Sequence, residues 1–542
     1  MVVGLLSCHL PAPARATGPR VNRLESSLVK HRLPHLVGPL LLAGALAACH
    51  ANPGPAPVEE ETSTTETQTS TRTTTAEAGE PEGTRNNISV GIDALRNGFN
   101  PHLVADDTSF VRDMAALVLP SAFVDDRPNT DLLESVEEVG GTIRYQIAQE
   151  AQWSDGTPIT GADFSFLWQA MTTTPGVIDA AGYHAISAVR VTGGGKTVEV
   201  DLSEPVADWN QLFDNLLPSH LVAGSDFASA FYDTIPASAG RYMVRSIDRQ
   251  RGVVVLSRND RFWGANPAST ELLTFQTAGS ASRAGEFLRT GQSAFMNLTP
   301  TETLVDTFTL LPGTDLRVSD TDRTLELTLN AKVLDAGVRS TVLSLIDAPT
   351  TARLAAGRGA QLSVPERVDF GGVEKLPERP LRIAVDPADD QAVAAARAVV
   401  DQLAVHGIAA GTVSTDLASA LEQALPDGEI DAVITWRRSA ENPLSLASRY
   451  QCEQEVHSNL SVWCDPDTDT FLARVVAGAV DPVSARAWAG EFNATHALSL
   501  PLLRETRVEA RTGGIVGASG DGAAWPGGIA GAANWRKNDN QQ

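Results

Sequence analysis

The sequence predicts a mixed α/β fold, and three observations carry that expectation. Short runs with strand-like patterning recur between Asn87 and Val200. A strand, an amphipathic helix and a second strand follow one another over residues 381–436, the pattern of a partly parallel sheet. Segments with helical apolar spacing, Asp163 to Met171 and Val338 to Asp347, lie between them. At 542 residues the chain is long enough for more than one domain. Its 42% hydrophobic and 20% charged residues are the balance of a globular protein, not a fibrous or disordered one.

The first fifty residues read as an address. Arg15, Arg20, Arg23, Lys30 and Arg32 precede an apolar run of 13 residues, Leu36 to Ala48. A membrane-spanning helix needs about 20. A basic region, a short apolar core and small residues at its end describe an export signal over residues 1–48. Leu46-Ala47-Ala48-Cys49 resembles the bacterial lipobox. That resemblance implies a diacylglyceryl group on Cys49, which becomes the mature N-terminus and anchors the chain to the membrane. The alternative is an ordinary secretory signal with an incidental cysteine. The basic segment is long and holds Cys8 and several prolines, which puts the expected start nearer Leu28 or Val29. Residues 49–86 are rich in Pro, Glu, Ser and Thr and predict a disordered tether, either bare or carrying O-glycans.

Charge narrows the function. The whole chain carries a formal −24. Removing residues 1–48 takes away five basic residues and one acidic residue and leaves −28. No broad basic face for nucleic acid is expected, nor electrostatic adhesion to anionic lipid.

Element by element, Asn87–Asp93 opens as a strand and Thr142–Ile147 alternates as another. Val189–Val191 and Thr197–Val200 flank Gly193-Gly194-Gly195 as a hairpin. Gly195-Lys196-Thr197 resembles a phosphate loop superficially, but position 190 is Arg where that motif requires Gly. Leu381–Val385 reads as a buried strand, Asp390–His406 as a helix closed by Gly407, and Ile430–Trp436 as a strand after the Pro426-Asp427-Gly428 turn.

Catalytic signatures are missing. The ten histidines show no paired metal-ligand spacing, and no Gly-x-Ser-x-Gly elbow occurs. The expectation is a non-enzyme with no catalytic residue, no metal and no cofactor. Cys452 and Cys464, the two body cysteines, are expected to pair as a disulfide outside the cytoplasm. A catalytic thiol is the rival reading.

Several landmarks in order resemble the family-5 solute-binding proteins of ABC transporters, the dipeptide and oligopeptide receptors. Trp153-Ser154-Asp155-Gly156-Thr157-Pro158-Ile159-Thr160-Gly161-Ala162-Asp163-Phe164 is similar to the family's most recognisable motif. Gly240-Arg241-Tyr242, Arg258-Asn259-Asp260-Arg261-Phe262-Trp263, and Asp335 through Arg339 to Asp347 resemble three others. The resemblance runs from Asn87 onward. It implies a two-lobed periplasmic-binding-protein-like fold, class II and of peptide-receptor type, with an extra subdomain in the first lobe. The implied divisions are a first lobe over 87–316 with its subdomain at about 124–205, a second lobe over 317–492, and a return to the first lobe over 493–542.

Further stretches resemble a mycobacterial lipoprotein branch of the family. They are Phe99–Leu103, Leu117–Phe123, Pro175–His184 and Leu446–Cys452. That branch is associated with phosphatidylinositol mannoside and lipoarabinomannan synthesis. The likeness implies a glycolipid ligand and a mannosyltransferase partner; the wider family implies a small-molecule or peptide ligand and an ABC permease.

One departure bears on the ligand. Peptide receptors of the family commonly place an Asp three residues after the Trp of a strand end, where it binds the peptide's amino group. Here Trp436 is followed by Arg437, Arg438 and Ser439. An ammonium would meet cations, whereas Arg suits phosphate and Trp suits a sugar face. Trp436, Arg437 and Arg438 are therefore candidate ligand contacts just past a strand. The alternative is a solvated loop on an acidic protein.

Overall fold

The computed structural model describes residues 86–452, 458–517 and 527–538. The export signal, Cys49 and the tether before Asn86 lie outside the described residues.

Strand β1 (Asn87–Ile92) is followed by helix α1 (Ser109–Val118), capped by the Thr108 hydroxyl, which accepts from the Val111 N–H. Four strands, β2 (Leu133–Val139), β3 (Thr142–Ile147), β4 (Ile186–Thr192) and β5 (Thr197–Leu202), form an antiparallel sheet in the order β2-β3-β5-β4. The glycines at 193–195 turn β4 into β5, each with positive φ. Helix α2 (Gly161–Thr173) packs on this sheet.

The Trp153–Phe164 stretch shows why its residues are needed. Gly156 takes φ +92° in a turn whose ends are tied by the Trp153 N–H to the Thr157 carbonyl at 2.8 Å. Thr160 and Asp163 then form a capping box on α2. Asp163 also accepts from the Ser219 hydroxyl at 2.7 Å, and Trp153 is fully buried. The motif is structural.

The main sheet uses the rest. Its strands are β6 (Tyr242–Asp248), β7 (Val253–Arg258), β8 (Leu272–Thr277), β9 (Phe295–Leu298) and the 16-residue β10 (Thr314–Leu329). Then come β11 (Leu381–Val385), β12 (Ala410–Ser414), β13 (Ala432–Arg438) and the 14-residue β14 (Ser499–Thr512). With β1 they form ten strands in the order β12-β11-β13-β10-β14-β9-β1-β8-β7-β6. One lobe is built on β9, β1, β8, β7 and β6, the other on β12, β11 and β13. The two long strands β10 and β14 run through both. Their pairing slips between Asp320 and Thr324, which places an irregularity where the lobes meet.

The apolar core falls into separate clusters. Val90, Leu256 and Phe275 belong to one that also takes Leu446 and Phe492 from the second half of the chain, and Leu325, Ile383, Val399 and Ile434 belong to another. Helices α3 (Ala336–Ser344), α4 (Asp390–Val405), α5 (Pro443–Tyr450) and α6 (Pro482–His496) belong to the second half of the chain.

Two expectations are corrected. α3 begins and ends earlier than Val338–Asp347: the Asp335 side chain caps its start by accepting from the Val338 N–H, and Asp347 is the N-cap of the next helix, Ala348–Ala356. β13 occupies Ala432–Arg438 instead of Ile430–Trp436. Arg437 and Arg438 are strand residues, neither loop nor past the end, because their backbones pair with Thr324 and Arg323 of β10.

Candidate functional site

β13 delivers Trp436, Arg437 and Arg438 to the junction of the lobes, opposite Leu325, Thr324 and Arg323 of β10. Trp436 is 4% exposed, and its Nε1 has no hydrogen-bond partner among the described residues. The Arg323 guanidinium lies 5.4 Å from its ring centre. A buried N–H left unpaired is costly, so this donor marks a place where a partner is wanted.

The two arginines differ in what they hold. Arg438 donates twice to Asp107 of the first lobe, through Nε at 3.0 Å and Nη2 at 2.8 Å. Burial pushes the Asp107 carboxyl up, but Arg438, Arg323 and Arg112 outweigh it and hold it well below the usual carboxylate range. Arg437 donates to the Ser458 carbonyl at 2.6 Å, and no carboxylate among the described residues lies within 4.0 Å of it. Burial, then the like charge of Arg449, lower the Arg437 guanidinium to about 10. It stays protonated at neutral pH.

Around them stand groups that the sequence did not single out. Nη1 of Arg449 of α5 donates to both carboxylate oxygens of Glu326 of β10, at 2.9 and 2.8 Å, while its Nη2 donates to the Arg438 carbonyl. Asp179 is held at φ +58°, a conformation uncommon for residues other than Gly, and burial pushes its carboxyl up. Ser458 ties these parts together: its hydroxyl donates to the Val177 carbonyl and accepts from the Ala180 N–H, while its carbonyl takes Arg437.

Cys452 and Cys464 are joined as a disulfide with Cα atoms 4.4 Å apart. The loop they close includes Ser458. In the chain-entropy picture a loop this short contributes about 3 kcal/mol at most. A non-reducing peptide map is expected to show one linked pair, and reduction is expected to weaken the site through Ser458. Two freely alkylated thiols in the unreduced, denatured chain would contradict this.

Trp436, Arg437, Arg438, Asp179 and Ser458 line a cavity of about 30 Å³, room for a water or two. It shares Ile178, Asp179, Arg438 and Ser445 with a groove of about 1240 Å³. That groove is walled by Asp125, Asp131, Asp214 and Glu441, and by the rings of Phe262 and Trp263, 5.5 Å apart. Ser439 stands on the same wall, and its N–H donates to the Asp322 carbonyl at 2.6 Å. Further polar contacts join the lobes: Arg96 to Asp389 at 2.6 Å and the Asn97 amide to Asp386 at 2.7 Å. Among the described residues no cluster of His, Cys, Asp and Glu could hold a metal, and no helix is long and apolar enough to cross a membrane.

Two lobes on one shared sheet, with a polar cavity where they meet, define a solute-binding protein. The chain belongs to the bacterial extracellular solute-binding proteins, family 5: residues 127–365 match the model described as "Bacterial extracellular solute-binding proteins, family 5 Middle". It is 31% identical over 447 residues to a Mycobacterium tuberculosis protein described as "Probable monoacyl phosphatidylinositol tetramannoside-binding protein LpqW". That alignment covers 67% of this chain and 70% of LpqW. The fold is that of the oligopeptide-binding protein AppA from Bacillus subtilis, solved with a nonapeptide, at a TM-score of 0.64 and 14% identity, covering 83% of this chain and 99% of AppA. A periplasmic EDTA-binding protein, EppA, superposes at a TM-score of 0.62 with 21% identity, over 83% and 96% of the two chains. The family is one of binding proteins, not enzymes.

Proposed function

We propose that the chain is a lipid-anchored extracytoplasmic receptor for a phosphate-bearing, hydroxyl-rich headgroup of the phosphatidylinositol mannoside type. It would bind such intermediates, or regulate access to them, in mannolipid and lipoarabinomannan synthesis in the cell envelope. The observation that carries the reading is a small cavity holding the unpaired Trp436 Nε1 and the Arg437 guanidinium, which meets a carbonyl but no carboxylate among the described residues, and sharing Asp179 and Arg438 with the large groove. Arg forks pair well with phosphate oxygens. The groove supplies carboxylates and amides to accept sugar hydroxyls, with Phe262 and Trp263 as faces for a ring. Similarity to LpqW supports the same ligand class. Parting of the lobes at β10 and β14 would admit the phosphate. A mannosyltransferase that uses the bound lipid is the partner this reading implies.

A second reading is a receptor that delivers peptides to an ABC permease. The groove favours it in one respect: Asp125, Asp131, Asp214 and Glu441 have no cationic partner among the described residues and would suit basic side chains. Titration calorimetry with a deacylated phosphatidylinositol mannoside and with a basic peptide separates the two. The headgroup is expected to bind, and Arg437→Gln to weaken it by about tenfold or more. Tight peptide binding with no headgroup binding would establish the second reading instead.

Anchoring has its own test. Cys49→Ala is expected to move the protein from washed membranes to the soluble fraction. Retention after a carbonate wash would show that something other than lipid on Cys49 holds it.

A further inference from the structure

Asp107 reaches from the first lobe into the arginines of the second. Its Oδ1 takes both bonds from Arg438, and its Oδ2 takes one from Arg323 Nε at 3.3 Å. Arg112 stands 3.8 Å off, and the carboxylate is 2% exposed. Arg438 and Arg323 thus already hold the kind of oxyanion that a ligand would offer. Glu505 of β14 takes the Arg323 Nη1 at 2.8 Å, and Glu326 takes Arg449.

The charges can be paired off. Arg323, Arg438 and Arg449 are each bonded to a carboxylate, and Arg437 is bonded to none among the described residues. We propose that Asp107 is a tethered counter-ion that occupies the anion seat of Arg438 and Arg323, leaving Arg437, among the described arginines of the cavity, as the charge free for a ligand, so that the cavity selects a singly charged phosphodiester over a doubly charged phosphomonoester. The proposal rests on the phosphate reading above. A second negative charge would find no cation of its own and would face Asp107 and Asp179 in a cleft that excludes most water. A diester carries one charge, whereas a monoester carries about 1.5 to 2 at neutral pH, with its second proton leaving near pH 6. Asp107 acts through Arg438, as a positioning and screening residue.

The test is calorimetry on the full chain, with glycerophosphoinositol as the diester and inositol 1-phosphate as the monoester, at pH 7.5. The diester is expected to bind about tenfold tighter. Asp107→Asn keeps the shape and removes the charge, and is expected to abolish or reverse that ratio. A wild-type ratio near one, or a ratio unchanged in Asp107→Asn, overturns the proposal.

A second measurement needs no variant. At pH 5 the monoester has gained its second proton, so the wild-type ratio is expected to fall toward one; a ratio that keeps its pH 7.5 value overturns the proposal. The ratio is read, not either affinity alone, because other groups face the cavity. Asp107, Asp179, Arg437 and Arg438 of β13 and Arg449 of α5 line it, and His102, Arg323 and Glu326 of β10 and Glu505 of β14 act on those groups from behind. Burial pushes the Asp179 carboxyl up, and it faces both ligands alike. Failure of the phosphate reading looks different: binding of neither probe, or diester binding that survives Arg437→Gln, removes that reading and the proposal with it, whereas a diester that binds through Arg437 with a wild-type ratio near one removes the proposal alone.

Discussion

Thermal stability is expected to be greatest near pH 4–5 and to fall on both sides. Burial pushes the Asp113 carboxyl of α1 up to about 7, and burial pushes Asp106 up to about 6. In the unfolded chain both lose their protons near pH 3.9. Between these values the folded state holds more protons, so stability declines as pH rises from about 4 to 7. Asp113 alone would contribute roughly 4 kcal/mol of that decline. Burial raises the Glu505 carboxyl too, but Arg323 and Arg507 outweigh it and hold it at about 2. Its stabilisation is complete above the unfolded value near 4.3 and is lost as pH falls toward 2. Asp107 acts in the same direction. Scanning calorimetry at pH 4.5 and 7.5 checks the profile. Asp113→Asn is expected to raise the melting temperature at pH 7.5 and to leave it nearly unchanged at pH 4.5. A wild-type profile that is flat, or highest at pH 7.5, would contradict the assignment.

Gly240→Ala is expected to cost about 3 kcal/mol. A Cβ at this position would lie 2.3 Å from the Leu117 carbonyl oxygen and 2.8 Å from its carbon. Both are backbone atoms at the end of α1, so no side-chain rotation relieves the contact. The Gly240 N–H also donates to the Val118 carbonyl at 2.9 Å, which fixes the approach. Gly490 is a control of opposite sign. It lies exposed within α6, where a Cβ meets nothing within 4 Å. Gly490→Ala is expected to gain up to about 1 kcal/mol from helix propensity. Urea unfolding midpoints of the two variants should therefore move in opposite directions, and equal shifts would show that the packing account of Gly240 is wrong.

What could be read in advance follows from the range of the interactions. The Trp153–Phe164 stretch, the glycine hairpin and the β11–α4 pair were legible because turns, caps and apolar spacing act within a few residues. β10 was not, because its first half is polar: Arg317, Asp320, Asp322 and Arg323 look like loop residues until their partners are known. Those partners are remote. Asp107 and Arg438 are 331 positions apart, and Arg449 and Glu326 are 123 apart. The same remoteness hid half of the cavity. Arg437 and Arg438 stand out because they replace the residue types a peptide receptor would show, but they end an apolar run, which by itself reads as a strand stopping at Trp436. No local pattern distinguishes Asp107, which carries the charge balance of the site, from the other acids of an acidic chain.

The placement of β14 bears on how the molecule comes to be made. It is the last long strand in the sequence, yet it lies in the middle of the sheet, between β9 and β10. Until it arrives, the strands on either side have no common neighbour, and two half-sheets each present an open edge. Such edges and late, long-range pairings favour slow folding and aggregation. A nascent chain that stops short of β14 therefore cannot complete either lobe's attachment to the other. Joining of the two half-sheets waits until β14 is available to pair with both.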